Sequence, residues 1–356
     1  MQFKTKTSPF FNSNTNVRNV MLQVLIALIP GTLVMTYFFG WGILFNVILS
    51  IAFAVGLETV ALLMRKRPVF VFLGDLSAIV TGWLLALTLP PLIPWWILLV
   101  GIFFAIIIAK QIYGGLGYNP FNPAMVGFAV LIISFPLEMG LWIEAGPFTD
   151  QRYNFIESLT IVFGGSITPD WDAITMATPL DVVKTGFQMG ENYQDTIKQS
   201  HYLSETINNT WMWTNLAFAF GGLWLIFKKV IHWQIPLALL TTLLAFSLVF
   251  HLFASEVYAN PLLHILSGAT MLGAFFIATD PVSASTTPVG KLIYGASIGM
   301  FIYIIRTWGN YPDAVAFSVL IMNMAVPMID YYTQPRVLGH QSITRKNKHN
   351  QGVDDK

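Results

Sequence analysis

Ten long apolar runs joined by mostly short polar connections leave this chain few ways to fold. A helix needs about 20 apolar residues to cross a bilayer. Runs of that kind lie at roughly 20–39, 41–64, 70–89, 94–110, 121–137, 211–227, 233–252, 260–279, 290–307 and 312–332; the fourth, fifth and ninth are short or glycine-interrupted. Only 10% of the 356 residues are charged, against roughly 25% in a soluble domain. The sequence therefore predicts an all-α polytopic membrane protein with ten transmembrane helices. An even number of spans puts both termini on one side.

The basic residues choose that side. Of the 19 Lys and Arg residues, 15 fall with the termini, Arg65, Lys66, Arg67, Lys110, Lys228, Lys229 and Lys291 among them. Arg152, Lys184, Lys198 and Arg306 fall opposite. Positive charge gathers on the cytoplasmic face, so both termini are expected inside a bacterial cytoplasmic (inner) membrane. Residues 1–19 then form a cytoplasmic arm, with no cleavable signal peptide, and residues 333–356 a basic cytoplasmic tail. Residues 138–210 form an acidic extracytoplasmic loop between membrane segments 20–137 and 211–332. With no cysteine, disulfides, iron–sulfur clusters and thiolate metal sites are excluded. The six histidines lack metal-ligand spacing, and neither a metal nor a nucleic-acid partner is expected.

The membrane segments resemble each other. Asn122 to Ile132 aligns with Tyr311 to Ile321 at six identities in eleven, and Gly82, Thr88 and Pro90 align with Gly273, Thr279 and Pro281. Five spans per copy invert the second copy relative to the first. Such inverted repeats set interrupted helices and ligand sites near their mutual interface.

Three polar constellations interrupt the apolar pattern. In Asp172-Ala173-Ile174-Thr175-Met176-Ala177-Thr178-Pro179-Leu180-Asp181, Thr178 reads as a helix N-cap with Pro179 at the first helical position. Equally, its hydroxyl sits among small neighbours where a modifying enzyme has access. Gly114 to Pro123 breaks any helix and presents Asn119 and Asn122, either as a tight turn or as paired donors and acceptors for a polar ring edge. Thr279 to Thr287 places Asp280 at a helix C-terminus, where an acid needs a donor, a cation or a proton. Ionisable residues inside spans are functional candidates by default. Glu58, the deepest, joins Asp75, Asp280, Asp313 and Asp330 as candidates for an ion path.

The Thr178 segment resembles the flavin-transfer motif of the RnfD and NqrB family, Asp-x-x-(Ser/Thr)-x-Ala-Thr-Pro-Leu. It supplies Asp172, Thr175, Ala177 and Thr178, although Met176 departs from the small residue expected there. Gly117-Tyr118-Asn119-Pro120-Phe121-Asn122-Pro123-Ala124 and Ala278-Thr279-Asp280-Pro281-Val282-Ser283 resemble the family as well, and the likeness covers nearly the whole chain. It implies FMN bound covalently to Thr178 as a one-electron relay, and a second, non-covalent flavin (riboflavin) near Asn119 and Asn122. It further implies a subunit of an Rnf-type ion-translocating complex that links NADH and ferredoxin to Na⁺ or H⁺ movement. Neighbouring subunits and a flavin transferase would be its partners. The short N-terminal arm favours the RnfD branch over an NqrB-type subunit of a Na⁺-translocating NADH:quinone oxidoreductase. Without the motif, a secondary ion or solute transporter would fit the same spans and repeat.

Overall fold

The structure, a computed structural model, describes residues 16–143, 153–164, 175–190, 192–193, 195–196, 205–311 and 313–335. In chain order its helices begin with α1 (Val17–Phe39), α2 (Gly42–Met64), α3 (Val69–Leu73) and α4 (Ser77–Leu87). Then come α5 (Trp95–Phe103, continuing as π-helix Phe104–Gln111), α6 (Pro123–Ser134), α7 (Pro136–Gly140), α8 (Phe155–Gly164) and α9 (Pro179–Gln188). The remainder are α10 (Glu205–Phe227), α11 (Gln234–Phe253), α12 (Pro261–Leu266), α13 (Thr270–Leu272, continuing as π-helix Gly273–Ile277), α14 (Pro288–Trp308) and α15 (Val315–Thr333). Among the described residues, α1, α2, α11, α14 and α15 are long and apolar enough to cross a membrane. Helices α4, α5 and α6 are shorter apolar helices. The protein is a predominantly helical, multi-pass membrane protein.

The first and second membrane segments interlock through α1 against α10 and α6 against α15. Glycine makes the first contact possible: a Cβ on Gly221 would lie 2.0 Å from the carbonyl oxygen of Ala27. Aromatic rings fill neighbouring notches, Phe218 against Gly31 and Phe275 against Gly222. In a membrane, where lipid is as apolar as any side chain, such close backbone approach is what holds helices together.

Two runs expected as continuous spans, 70–89 and 260–279, are broken helices. The first breaks between α3 and α4, where Leu76 takes a left-handed φ of 64° and Asp75 Oδ1 accepts from the N–H of Ser77 at 2.8 Å. The second breaks at Ser267–Ala269 around Gly268, whose φ is 62°. Its freed backbone is satisfied from another helix: Asn215 Nδ2 donates to the carbonyls of Leu266 and Gly268 at 2.9 and 3.0 Å, and Asn215 Oδ1 accepts from Met271 N. Arg306 Nη1 donates to His264 O at 2.6 Å. Non-helical backbone survives at membrane depth only with such internal partners.

Candidate functional site

Two cavities open at opposite ends of the α1, α4 and α10 bundle. One, of about 300 Å³, is walled by Phe128, Trp142, Trp211, Phe218 and Tyr311, with Thr178, Asp181 and Asp313 among its polar lining. The other, of about 80 Å³, collects Ser77, Lys110, Asn119, Asn122 and Asp280. Along α4 the lining passes from Leu84 to Leu87, a rise of roughly 5 Å. Phe218 from the larger cavity and Phe276 from the smaller meet edge to face between them, ring centroids 6.2 Å apart.

Thr178 reaches its cavity through local chemistry and a docked helix. Pro179, lacking an N–H, suits the first helical position, and Thr178 closes a capping box with Asp181. Thr178 Oγ1 accepts from Asp181 N at 3.2 Å, while Asp181 Oδ2 accepts from Thr178 N at 3.1 Å and from the Thr178 hydroxyl at 2.5 Å. Helix α9 docks by packing Leu180 and Val183 with Ala259 and Leu263. Buried Lys184 donates to the carbonyls of Ile305 and Arg306 at 3.3 and 3.1 Å, a cation at the C-terminal end of α14, where the helix dipole favours it. On the N-terminal side, β2 (Thr175–Met176) pairs antiparallel with β1 (Trp142–Ile143), setting Met176 opposite Trp142. Met176 thus packs on the main core, which accounts for a large residue at that position. Ala177 is exposed, and Asp172 lies outside the described residues.

Burial pushes the Asp181 carboxyl above its ordinary value of 3.8, against the lowering effect of its hydrogen bonds with Thr178. The folded chain therefore holds this proton more tightly than the unfolded chain does. Docking of α9 is expected to weaken as pH rises from 3.8 through the folded value, where the unfolded state binds fewer protons than the native one. Hydrogen exchange across residues 179–188 measures this slope, and Asp181→Asn should flatten it; an unchanged slope in the variant would assign it to another group.

Of the other expected site residues, Asn119 and Asn122 share the smaller cavity. Asn122 caps α6 through Ala124 N and Met125 N and donates to Ile277 O at 3.2 Å. The orientation of Asn323 that satisfies both ends of its amide accepts from Asn122 N at 3.0 Å and donates to Ser283 O at 3.2 Å. Asn119 Nδ2 donates to Phe121 O, leaving its buried Oδ1 without a partner. Asp280 accepts from Ser283 Oγ at 2.7 Å, so a hydroxyl donor meets the need read from its position.

The five ion-path candidates are not one cluster. Asp313 lines the larger cavity and Asp280 the smaller; Asp75 caps α4 through Ser77, and Asp330 accepts from Ser285 and Thr286. Glu58 is 2% exposed and accepts from Lys110 Nζ at 2.8 Å on both oxygens and from Gln111 Nε2 at 2.9 Å. Lys110 is therefore no cytoplasmic loop charge, as its place at a span end suggested. It is 1% exposed, turned inward from the π-helical stretch, and also donates to Ser77 Oγ at 2.7 Å. Arg306, expected on the outer side, is likewise buried, with Asp313 Oδ1 3.3 Å from its Nη2.

Sequence reasoning passed over Lys110, Ser77, Asn215, Arg306, Asp181 and the two tryptophans of the larger cavity. Only Asp181 carried a local signal, the Thr-x-x-Asp spacing of a capping box. Among the described residues no group of three or more His, Asp or Glu side chains is placed to hold a metal ion.

The sequence pattern of the NQR2, RnfD, RnfE family matches residues 4–339. Proteins named as the D-type subunit of the ion-translocating oxidoreductase complex are similar along almost their whole length. That of Vibrio atlanticus is 49% identical over 349 residues, covering 96% of this chain and 100% of the relative. Those of Vibrio cholerae O395 and Yersinia enterocolitica are each 48% identical, covering 96% and 94% of this chain and 100% and 98% of the relatives.

Proposed function

The chain belongs to the NQR2, RnfD, RnfE family, and from that premise we propose that it is the D-type membrane subunit of an ion-translocating oxidoreductase complex, carrying FMN covalently on Thr178. One observation carries the reading: the hydroxyl of Thr178 stands at the wall of an aromatic cavity of about 300 Å³, where ligand pockets begin in size and which has the apolar walls and few polar groups such pockets share. Trp142 and Trp211, with ring centroids 5.2 Å apart, both line the cavity and give a planar group aromatic surface to pack on. If the flavin transferase delivers FMN from a flavin dinucleotide, Thr178 Oγ1 would replace the nucleoside monophosphate, which leaves as the pyrophosphate bond breaks, and Asp181 Oδ2, 2.5 Å from the hydroxyl, would accept its proton. FMN supplies one-electron transfer when bound; the residues here anchor it, orient it and keep water from its faces.

A second, non-covalent flavin (riboflavin) is assigned to the smaller cavity, whose lining must open beyond its present volume of about 80 Å³ to admit the ring. Its lining supports this through the unpartnered Oδ1 of Asn119, an acceptor for a ring N–H. Ten spans in two inverted repeats, both termini in the cytoplasm, put Thr178 on the outer face of the bacterial inner membrane. Electrons then pass between the faces through the two cavities. The complex couples NADH and ferredoxin to Na⁺ or H⁺ movement, with Asp280 and Asp313 the candidate ion-path acids that line cavities.

Flavin fluorescence of the subunit on a denaturing gel tests the attachment. After co-expression with the flavin transferase the band should fluoresce, and Thr178→Val should abolish the signal entirely. A dark wild-type band, or a Thr178→Val band that still fluoresces, would overturn it.

A further inference from the structure

Helix α8 packs against α2. Only Ser158 and Val162 of its ten residues are buried. At 100° per residue these two form one stripe. Ile156, Leu159 and Phe163 form a second, with Phe155 between the two; Thr160 borders the second stripe beside Ile156, and Glu157 lies away from both. The second stripe is exposed, with Ile156 at 74% and Phe163 at 49%. Phe155 lies against Trp41 and Phe45, at ring centroids 5.6 and 4.9 Å. Those two residues sit at the start of α2, and α2 continues as the exposed apolar face of Trp41 and Ile48.

We propose that α8 lies flat in the outer-leaflet interface of the bilayer, its Ile156, Leu159 and Phe163 stripe immersed in lipid, and that it fixes the depth of the Thr178 segment. Three features favour lipid as the occupant. The stripe is continuous with the exposed flank of a membrane-spanning helix. It lies at the level of Trp41 and Trp95, the height at which aromatic residues collect at membrane interfaces. Its charge is confined to Glu157 on another side, the arrangement of a helix lying in the interface.

The link to depth is a chain of packed residues. Val162 and Leu92 form a small core with Ile143, Leu49 and Trp95 around it. Ile143 belongs to β1 and pairs with Thr175 of β2, three residues before Thr178. A helix held at the interface thus holds one end of the flavin-attachment segment as well.

The chain has no cysteine of its own, so the signal of a single-cysteine probe is the label in excess of that taken up by the complex holding the wild-type chain. Ile156→Cys, Phe163→Cys and Glu157→Cys, labelled with the fluorophore NBD, would be examined in the assembled complex. The complex would be placed in nanodiscs of phosphatidylethanolamine and phosphatidylglycerol, with or without lipid bearing a nitroxide at acyl carbon 5. Labels at 156 and 163 should lose at least half their fluorescence to the nitroxide lipid and resist aqueous iodide, and the label at 157 should behave in the opposite way. Labels at 156 and 163 open to iodide, or shielded from both quenchers as a covering protein subunit would shield them, would overturn the proposal. The quenching is read without any flavin, so it fails or succeeds independently of the attachment to Thr178.

Discussion

Lys110→Met should destabilise the protein by about 3–5 kcal/mol, the cost of leaving one partner of a buried ion pair alone. Glu58 would keep one donor, Gln111 Nε2, and lose the ammonium that meets both its oxygens. Ser77 Oγ would lose the same donor. The double variant Glu58→Leu/Lys110→Met should recover most of the loss, because replacing both ions with apolar groups of similar size is often neutral or stabilising. Thermal unfolding in detergent, followed by loss of the monodisperse peak on size exclusion, separates the variants. A single variant as stable as the double would show that the pair contributes nothing to the fold. Glu58→Gln discriminates further, since it keeps the shape while removing the charge and turns one of the two oxygens that accept from Lys110 into an amide donor.

Gly221→Leu should be nearly as disruptive. Its first side-chain carbon alone would sit 2.0 Å from the backbone oxygen of Ala27, and a carbonyl in the middle of a helix cannot turn aside as a side chain can. Helices α1 and α10 would have to separate, at a cost of about 1–3 kcal/mol or more by the usual scale of overpacking. That would open the contact joining the two membrane segments. Gly56→Leu is the matched control, because nothing lies within 4 Å of a Cβ at that position. Equal stability of the two variants would refute the close packing.

The long spans were legible because a bilayer demands an unbroken apolar run, and the runs at 20–39, 41–64, 233–252 and 290–307 each lie within three residues of α1, α2, α11 and α14 at both ends. The breaks at Leu76 and Gly268 were not legible. Each lies in a stretch that stays largely apolar, and the second is stabilised by Asn215 and Arg306, far away in sequence. The charge count misled for Lys110 for a related reason. Nearness to a span end does not guarantee nearness to water, and the acid that draws the side chain inward stands 52 residues earlier. At the candidate site the motif located Thr178 and its cap, since both are local. The aromatic walls around it come from α6, β1, α10 and the turn before α15, and no local pattern announces that convergence.

The edge-to-face contact of Phe218 and Phe276 has a bearing on coupling. If flavins occupy the two cavities, this pair is the septum between them, seated among glycines that leave no slack for a water-filled gap. An electron needs only proximity across such a septum. A hydrated cation needs oxygen ligands at every step, and two phenyl rings supply none. With flavins in both cavities, electrons would take the short way through the rings, while ions would need another course at this point. At this septum, coupling between them would then act through the shape or charge of the surrounding helices.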